Sequence, residues 1–94
     1  MRRQRHRMLK ILRTTDSNIV LTLIGRLEAE NMADLRGLLA AEPPDSAVVL
    51  DLADLVLVDR DGVRFLRECE RDGIVLRNSP QYVRTWMERE EEPS

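Results

Sequence analysis

The sequence predicts an α/β fold, a mixed β-sheet that opens with an antiparallel hairpin, continues in parallel strands and is covered by about three helices. Three observations predict it. Short β-branched apolar runs, Ile19 to Ile24 and Ala47 to Leu52, alternate with segments whose apolar residues recur at helical spacing. The first two extended segments adjoin across a turn-forming cluster, whereas the later ones are separated by helix-length segments, as parallel crossovers require. Finally, 94 residues give room for one domain with a single modest core.

Each element has its own signal. Met8 to Arg13 sets Met8, Ile11 and Leu12 among Lys10 and Arg13, and Thr14 to Asn18 supplies the turn chemistry of a hairpin. Ile19 to Ile24 is nearly continuous in apolar residues, which suits a strand covered on both faces and ended at Gly25. From Ala29 to Ala41, Met32, Leu35, Leu38 and Leu39 share a helical face, and Pro43 and Pro44 close the segment. Ala47 to Leu52 reads as a buried central strand that Leu55 to Val58 continues toward the charged sequence Asp59, Arg60, Asp61, Gly62. Gly62 to Asp72 places Val63, Leu66 and Cys69 on one helical face, and Gly73 stands where a helix ends. Ile74 to Leu76 is a short strand. The last helix takes Asn78 or Ser79 as its N-cap and Pro80 as its first residue, with Val83, Trp86 and Met87 on one face.

Composition narrows the function. Only Phe65, Tyr82 and Trp86 are aromatic, so the core is aliphatic and stacking surfaces for bases or sugars are scarce. A lone Cys69 cannot form an intrachain disulfide and no secretory leader follows the basic start, so the expectation is a reducing cytoplasm. No apolar run approaches the ~20 residues of a membrane-spanning helix, and membrane insertion is not expected. Four of the 15 basic side chains, Arg2, Arg3, Arg5 and Arg7, fall in the first seven residues, which leaves 11 basic against 17 acidic, a net −6, in the rest. Such a body repels phosphate backbones, and nucleic acid is not expected as a partner. Residues 1–7 read as a disordered basic arm, 8–88 as the domain and 89–94 as an acidic tail.

Three stretches carry a resemblance over Met8 to Met87. Gly25 to Asn31, with Gly25, Leu27 and Glu28 before a helix, is the first. Val48 to Ala53 with Leu55 to Asp59 is the second, and Gly62 to Leu66 the third; Asn78 to Pro80, followed by Val83 and Arg84, adds a weaker match. In this order and spacing the chain resembles the STAS family, the fold of bacterial anti-sigma factor antagonists. The resemblance implies a non-catalytic domain of cytoplasmic signal transduction and transcription regulation that binds a histidine-kinase-like anti-sigma factor. STAS domains also serve as cytoplasmic regulators of membrane transporters, with a transporter ATPase as partner. Signalling members carry a phosphoacceptor Ser or Thr in the loop that Asp59, Arg60, Asp61 and Gly62 occupy here, and neither central position has a hydroxyl. The usual switch therefore cannot operate, and Asp61 imitates a phosphorylated residue only in part. The family's further C-terminal strand and helix are also missing, so the sheet is expected to be one strand short, with an edge for a partner or a second copy.

The same four residues have rival readings. After an apolar strand, Asp59 and Asp61 resemble the nucleophile and acid/base of haloacid-dehalogenase-type phosphatases, but no Lys follows to hold the phosphate. On an EF-hand loop the first ligand position would be Leu57, which has no carboxylate. Weak Mg²⁺ association with Asp59 and Asp61 stays open, as does plain helix capping by either residue. Glu28, Asp59 and Asp61 are expected at one end of the sheet, as an acidic rim around Arg60. The site expected is therefore a partner-binding one, formed by Glu28, Asn31, Asp59, Arg60, Asp61, Gly62, Arg64 and Arg67, with no catalytic residue, cofactor or metal. Cys69 is expected in the core, and Trp86 as a lid over it.

Overall fold

The computed structural model describes residues 9–15 and 17–91. The expected basic arm, residues 1–7, and the end of the acidic tail, residues 92–94, lie outside them. The elements run β1 (Leu9–Thr15), β2 (Ile19–Leu27), a 3₁₀ turn (Ala29–Asn31), α1 (Met32–Ala40), β3 (Val48–Val58), α2 (Arg60–Arg71), β4 (Val75–Arg77) and α3 (Gln81–Glu91). The sheet order is β1-β2-β3-β4, with β1 antiparallel to β2 and the other two pairings parallel. This is the mixed α/β architecture expected.

Each crossover, β2-α1-β3 and β3-α2-β4, advances one strand in the same direction. Right-handed connections of that kind deliver both helices to one face of the sheet. A single core there joins Leu21, Leu23 and Leu27 of β2, Leu50, Leu52, Leu55 and Val58 of β3, Leu35 of α1, Val63, Phe65 and Leu66 of α2, and Val83 and Met87 of α3. The least dimension of the molecule, 21 Å, matches one sheet plus one helix layer at about 10 Å each.

On the opposite face the run Ile19 to Ile24 is also withdrawn from solvent, Val20 buried and Thr22 and Ile24 half-buried. Register lines up Thr14, Val20, Val49 and Val75 in one row and Leu12, Thr22, Asp51 and Arg77 in the next. Among the described residues no helix covers these rows. Val20 and Val49 are buried outside the main core, whereas Leu12 and Val75 are exposed. Arg77 and Asp51 form an ion pair at 3.2 Å. Burial opposes ionisation of Asp51 most strongly, but the Ala53 N–H, the Asn78 amide and Arg77 together hold its carboxyl below the ordinary range. β4 pairs only with Val49–Asp51, so Leu52 to Val58 lacks a strand partner on that edge among the described residues, and Val56 there is 72% exposed. Two register shifts along β3, each adding one residue, let Leu52, Leu55 and Val58 all reach the core.

Several element ends differ from expectation: β1 continues through Thr14 and Thr15, which pair with Val20 and Ile19, β2 runs past Gly25 to Leu27 beside β3, and β4 is Val75–Arg77. The segment from Ala29 begins as a 3₁₀ turn before α1. α2 starts at Arg60, two residues early, because Asp59 caps it. α3 is helical through Glu91 instead of fraying after Glu88. No side chain at Asn78 or Ser79 caps α3. Asn78 takes a left-handed conformation and reaches Asp51 at 3.3 Å, Ser79 Oγ makes no hydrogen bond, and the Pro80 carbonyl accepts the first helical bond from Arg84. Trp86 is half-buried against the rim of the core.

Candidate functional site

Of the expected site residues, Glu28, Asn31, Asp59, Arg60, Asp61 and Gly62 gather where β2 and β3 end and α1 and α2 begin, whereas Arg64 and Arg67 lie further along α2, Arg67 beside α3. β2 and β3 are parallel neighbours, with Leu27 opposite Val58, so the residues that follow them emerge side by side. The Asp59 N–H donates to the Leu27 carbonyl at 3.1 Å and fixes the two chain ends.

Asp59 organises this end through both of its oxygens. One accepts from the Gly62 N–H at 2.8 Å and caps α2, and the other accepts from the Ala29 N–H at 3.0 Å, at the start of the 3₁₀ turn. One carboxylate therefore ties two helix starts from separate parts of the chain. Asn31 completes the arrangement by accepting the Glu28 N–H on its side-chain oxygen at 2.9 Å. Gly62 is buried because the first turn of α2 lies against β2. A Cβ there would stand 2.6 Å from the Leu27 carbonyl oxygen and 2.8 Å from Val58 Cγ1.

Two expectations about this site are corrected. Arg60, Asp61 and Gly62 are not a loop but the first turn of α2, since the Asp59 cap lets helical geometry start at once. Nor does Glu28 join an acidic rim around Arg60. It is half-buried, with one oxygen 3.7 Å from Arg26 Nε and the other buried without a hydrogen bond. Arg60, Asp61 and Arg64 are exposed, and Arg67 is half-buried.

Flanking contacts brace α2 on both sides. Arg36 of α1 pairs with Glu68 at 3.1 Å and lies over the Phe65 ring, 5.0 Å from its centre. Arg84 of α3 pairs with Glu70 at 2.8 Å. Sequence reasoning missed both, since pairs 32 and 14 residues apart in the chain leave no periodic signal. A groove of about 430 Å³ between α2 and α3 is lined by Arg67, Glu70, Arg71, Arg84, Met87 and Glu88. Cys69 is buried, and burial, helped by the charge of Asp72, pushes its thiol up to about 12. Among the described residues no three His, Cys, Asp or Glu side chains are grouped to hold a metal, and no helix is long and apolar enough to cross a membrane.

Comparison with known proteins adds to the fold alone. No protein family matches the sequence, and no curated protein matches it significantly. Among solved structures, one described as Mglu superimposes with a TM-score of 0.51 at 23% identity, covering 80% of this chain and 20% of its own. The chain thus spans about a fifth of that protein's length. An uncharacterized protein of the DUF3478 family from Shewanella loihica PV-4, described as having a SpoIIAA-like fold, aligns over 100% of this chain and 86% of its own, at 18% identity and a TM-score of 0.42.

Proposed function

We propose that the protein is a non-catalytic binding domain, an anti-sigma factor antagonist or a related partner-switching regulator, whose switch position lacks a phosphorylatable hydroxyl. The observation that carries the reading is the use made of Asp59. Both of its oxygens accept backbone N–H groups, at 2.8 and 3.0 Å, which makes the residue a brace between two elements. In a phosphatase of the rival kind the first Asp has to turn an oxygen toward the substrate phosphorus, whereas here each oxygen is held on a backbone N–H of a different element. Beside the brace, Asp61 is exposed on the first turn of α2, at the position that resembles the family's phosphoacceptor. It offers about one negative charge there, against −1.5 to −2 for a phosphoserine.

The test is capture of partners by the tagged full chain from a lysate of its source organism, with Asp61→Arg as control and mass spectrometry as readout. A kinase-like anti-sigma regulator recovered by the native protein and lost in the variant supports the reading. A transporter ATPase recovered in the same way moves the protein to transporter regulation. Recovery of neither, together with phosphatase activity that Asp59→Asn abolishes, overturns it.

A further inference from the structure

β4 and α3 are consecutive elements at one edge of the sheet, and their attachment to the rest of the domain is slight. β4 pairs with β3 only over Val75–Arg77, whereas β1 pairs with β2 along its whole length and β2 with β3 from Ile19 to Leu27. α3 gives the core Val83 and Met87, with Trp86 half-buried at the rim. It meets α2 across the groove of about 430 Å³, whose lining is charged except for Met87, so little apolar burial holds the two helices together there. The chain enters this edge through Gly73, which is left-handed and exposed, and turns from β4 into α3 through Asn78, also left-handed.

One carboxylate fastens the edge. Asp51 of β3 is oriented by the Ala53 N–H at 3.1 Å, and it accepts Arg77 on one oxygen at 3.2 Å and the Asn78 amide on the other at 3.3 Å. The bond to Asn78 holds a residue in a backbone conformation that side chains other than glycine seldom adopt. Beside it the Ser79 hydroxyl is buried without a hydrogen bond, a penalty that contact with water would relieve. Arg84 adds a pair with Glu70 at 2.8 Å, but both side chains are well exposed and water weakens such pairs.

We propose that β4 and α3 open together as one unit, with Gly73 as the hinge and Asp51 as the latch. Only Asn78, Ser79 and Pro80 lie between the two elements, and Pro80 fixes its own φ, so displacing one carries the other. What stays closed is β1 to β3 with α1 and α2, which keep Leu23, Leu27, Leu35, Leu50 and Leu66 of the core. Such a unit belongs to the low-stability end of the molecule, between a frayed terminus and global unfolding. The consequence is a change in the sheet edge. In the closed form β4 covers Val49–Asp51 and leaves Leu52 to Val58 without a strand neighbour on that side; in the open form the uncovered edge runs from Val49 to Val58.

The experiment is native-state hydrogen exchange on the full chain, read residue by residue by NMR at low urea concentrations. The amides of β4 and α3 are expected to exchange through one shared opening, about tenfold or more faster than those at the centres of β2 and β3. Ile11→Val, on β1 at the far side of the sheet, is expected to speed exchange of the β2 amides about fivefold through global unfolding. It should leave residues 75–91 unchanged, because Ile11 stays packed in the open form. Asp51→Ala is expected to speed exchange of residues 75–91 about tenfold or more, since only the closed form contains the latch, with Asp51→Asn intermediate. Thermal melts check that each variant is folded. The proposal is overturned if residues 75–91 exchange no faster than β2 and β3, if Ile11→Val accelerates them as much as it does β2, or if Asp51→Ala leaves them unchanged. Rapid exchange of α3 with β4 as protected as β3 overturns it too, by reducing the unit to a fraying helix.

Discussion

Gly62→Ala is the sharpest probe of how this end of the molecule is built. The new methyl carbon would lie 2.6 Å from the Leu27 carbonyl oxygen, 2.8 Å from Val58 Cγ1 and 3.2 Å from Leu27 Cγ. The first of these neighbours is backbone, already bonded to the Asp59 N–H at 3.1 Å, so no side-chain rotation relieves it. The start of α2 has to move outward by several tenths of an ångström. That shift stretches the 2.8 Å bond from Gly62 N–H to Asp59. Overpacking of this kind costs about 1–3 kcal/mol and a weakened cap about 1 kcal/mol more, against which the helix propensity of Ala returns at most ~1 kcal/mol. The net is a loss of about 1–3 kcal/mol, or a Tm lower by roughly 5–20 °C in a domain of this size. Gly37→Ala is the internal control. Position 37 is exposed on α1, and a methyl group added there has nothing within 4 Å, so the same substitution is expected to raise Tm, by up to ~1 kcal/mol of stability. Circular dichroism melts with urea titrations measure both. Equal signs for the two variants, or a Gly62→Ala protein at least as stable as the native one, would refute the close approach of α2 to β2.

Three further outcomes follow from individual contacts. Asp59→Ala removes the acceptor from two helix starts at once and is expected to cost about 1–3 kcal/mol in urea titration, with Asp59→Asn intermediate because it keeps one acceptor oxygen. Cys69, 3% exposed with its thiol pushed up to about 12, is expected to stay unreactive toward an aromatic disulfide reagent at mildly alkaline pH and to react fully in denaturant; rapid labelling of the native protein would contradict its burial. Asp51 has a folded-state pKa lowered from its ordinary value, so it contributes stability above about pH 4 that is lost as pH falls through the folded value. Relative to Asp51→Asn, the native protein should therefore keep its advantage down to about pH 4 and lose it as pH falls further, and an advantage that grows in acid would reverse the sign of the argument.

The fold was legible because its signals are local. The apolar runs at Ile19 and Ala47 and the helical spacing of Val63, Leu66 and Cys69 each mark an element without reference to the rest, whereas Thr14 and Thr15, read as turn residues, extend β1 through their pairing with Val20 and Ile19. The failures fall where a distant partner decides. Asp59 lengthens α2 backward to Arg60 because its cap is braced against Ala29, 30 residues away. Asn78 is drawn from the capping role by Asp51, 27 residues away. At the site, the residues expected at one end of the sheet do gather there, but composition could not divide their labour. Asp59, Asn31 and Gly62 hold the structure together, and Arg60, Asp61 and Arg64 face outward.

That division makes position 61 a test of charge with little confounding from folding. Asp61 stands on a turn whose backbone is fixed from below by Gly62 against the Leu27 carbonyl and from the side by the Asp59 cap, neither of which involves its own side chain. Replacing it with Ser removes one negative charge from the first turn of α2, where the helix dipole makes an exposed carboxylate worth about 0.3–1 kcal/mol. Asp61→Ser should therefore melt within a few degrees of the native protein. If Asp61 holds the domain in one binding state by imitating a phosphorylated residue in part, the same variant should change the affinity for a captured partner by a larger factor than its small stability loss can explain. Unchanged affinity at unchanged stability would mean that the charge at this position is read by nothing, and the idea of a switch fixed by sequence would fall.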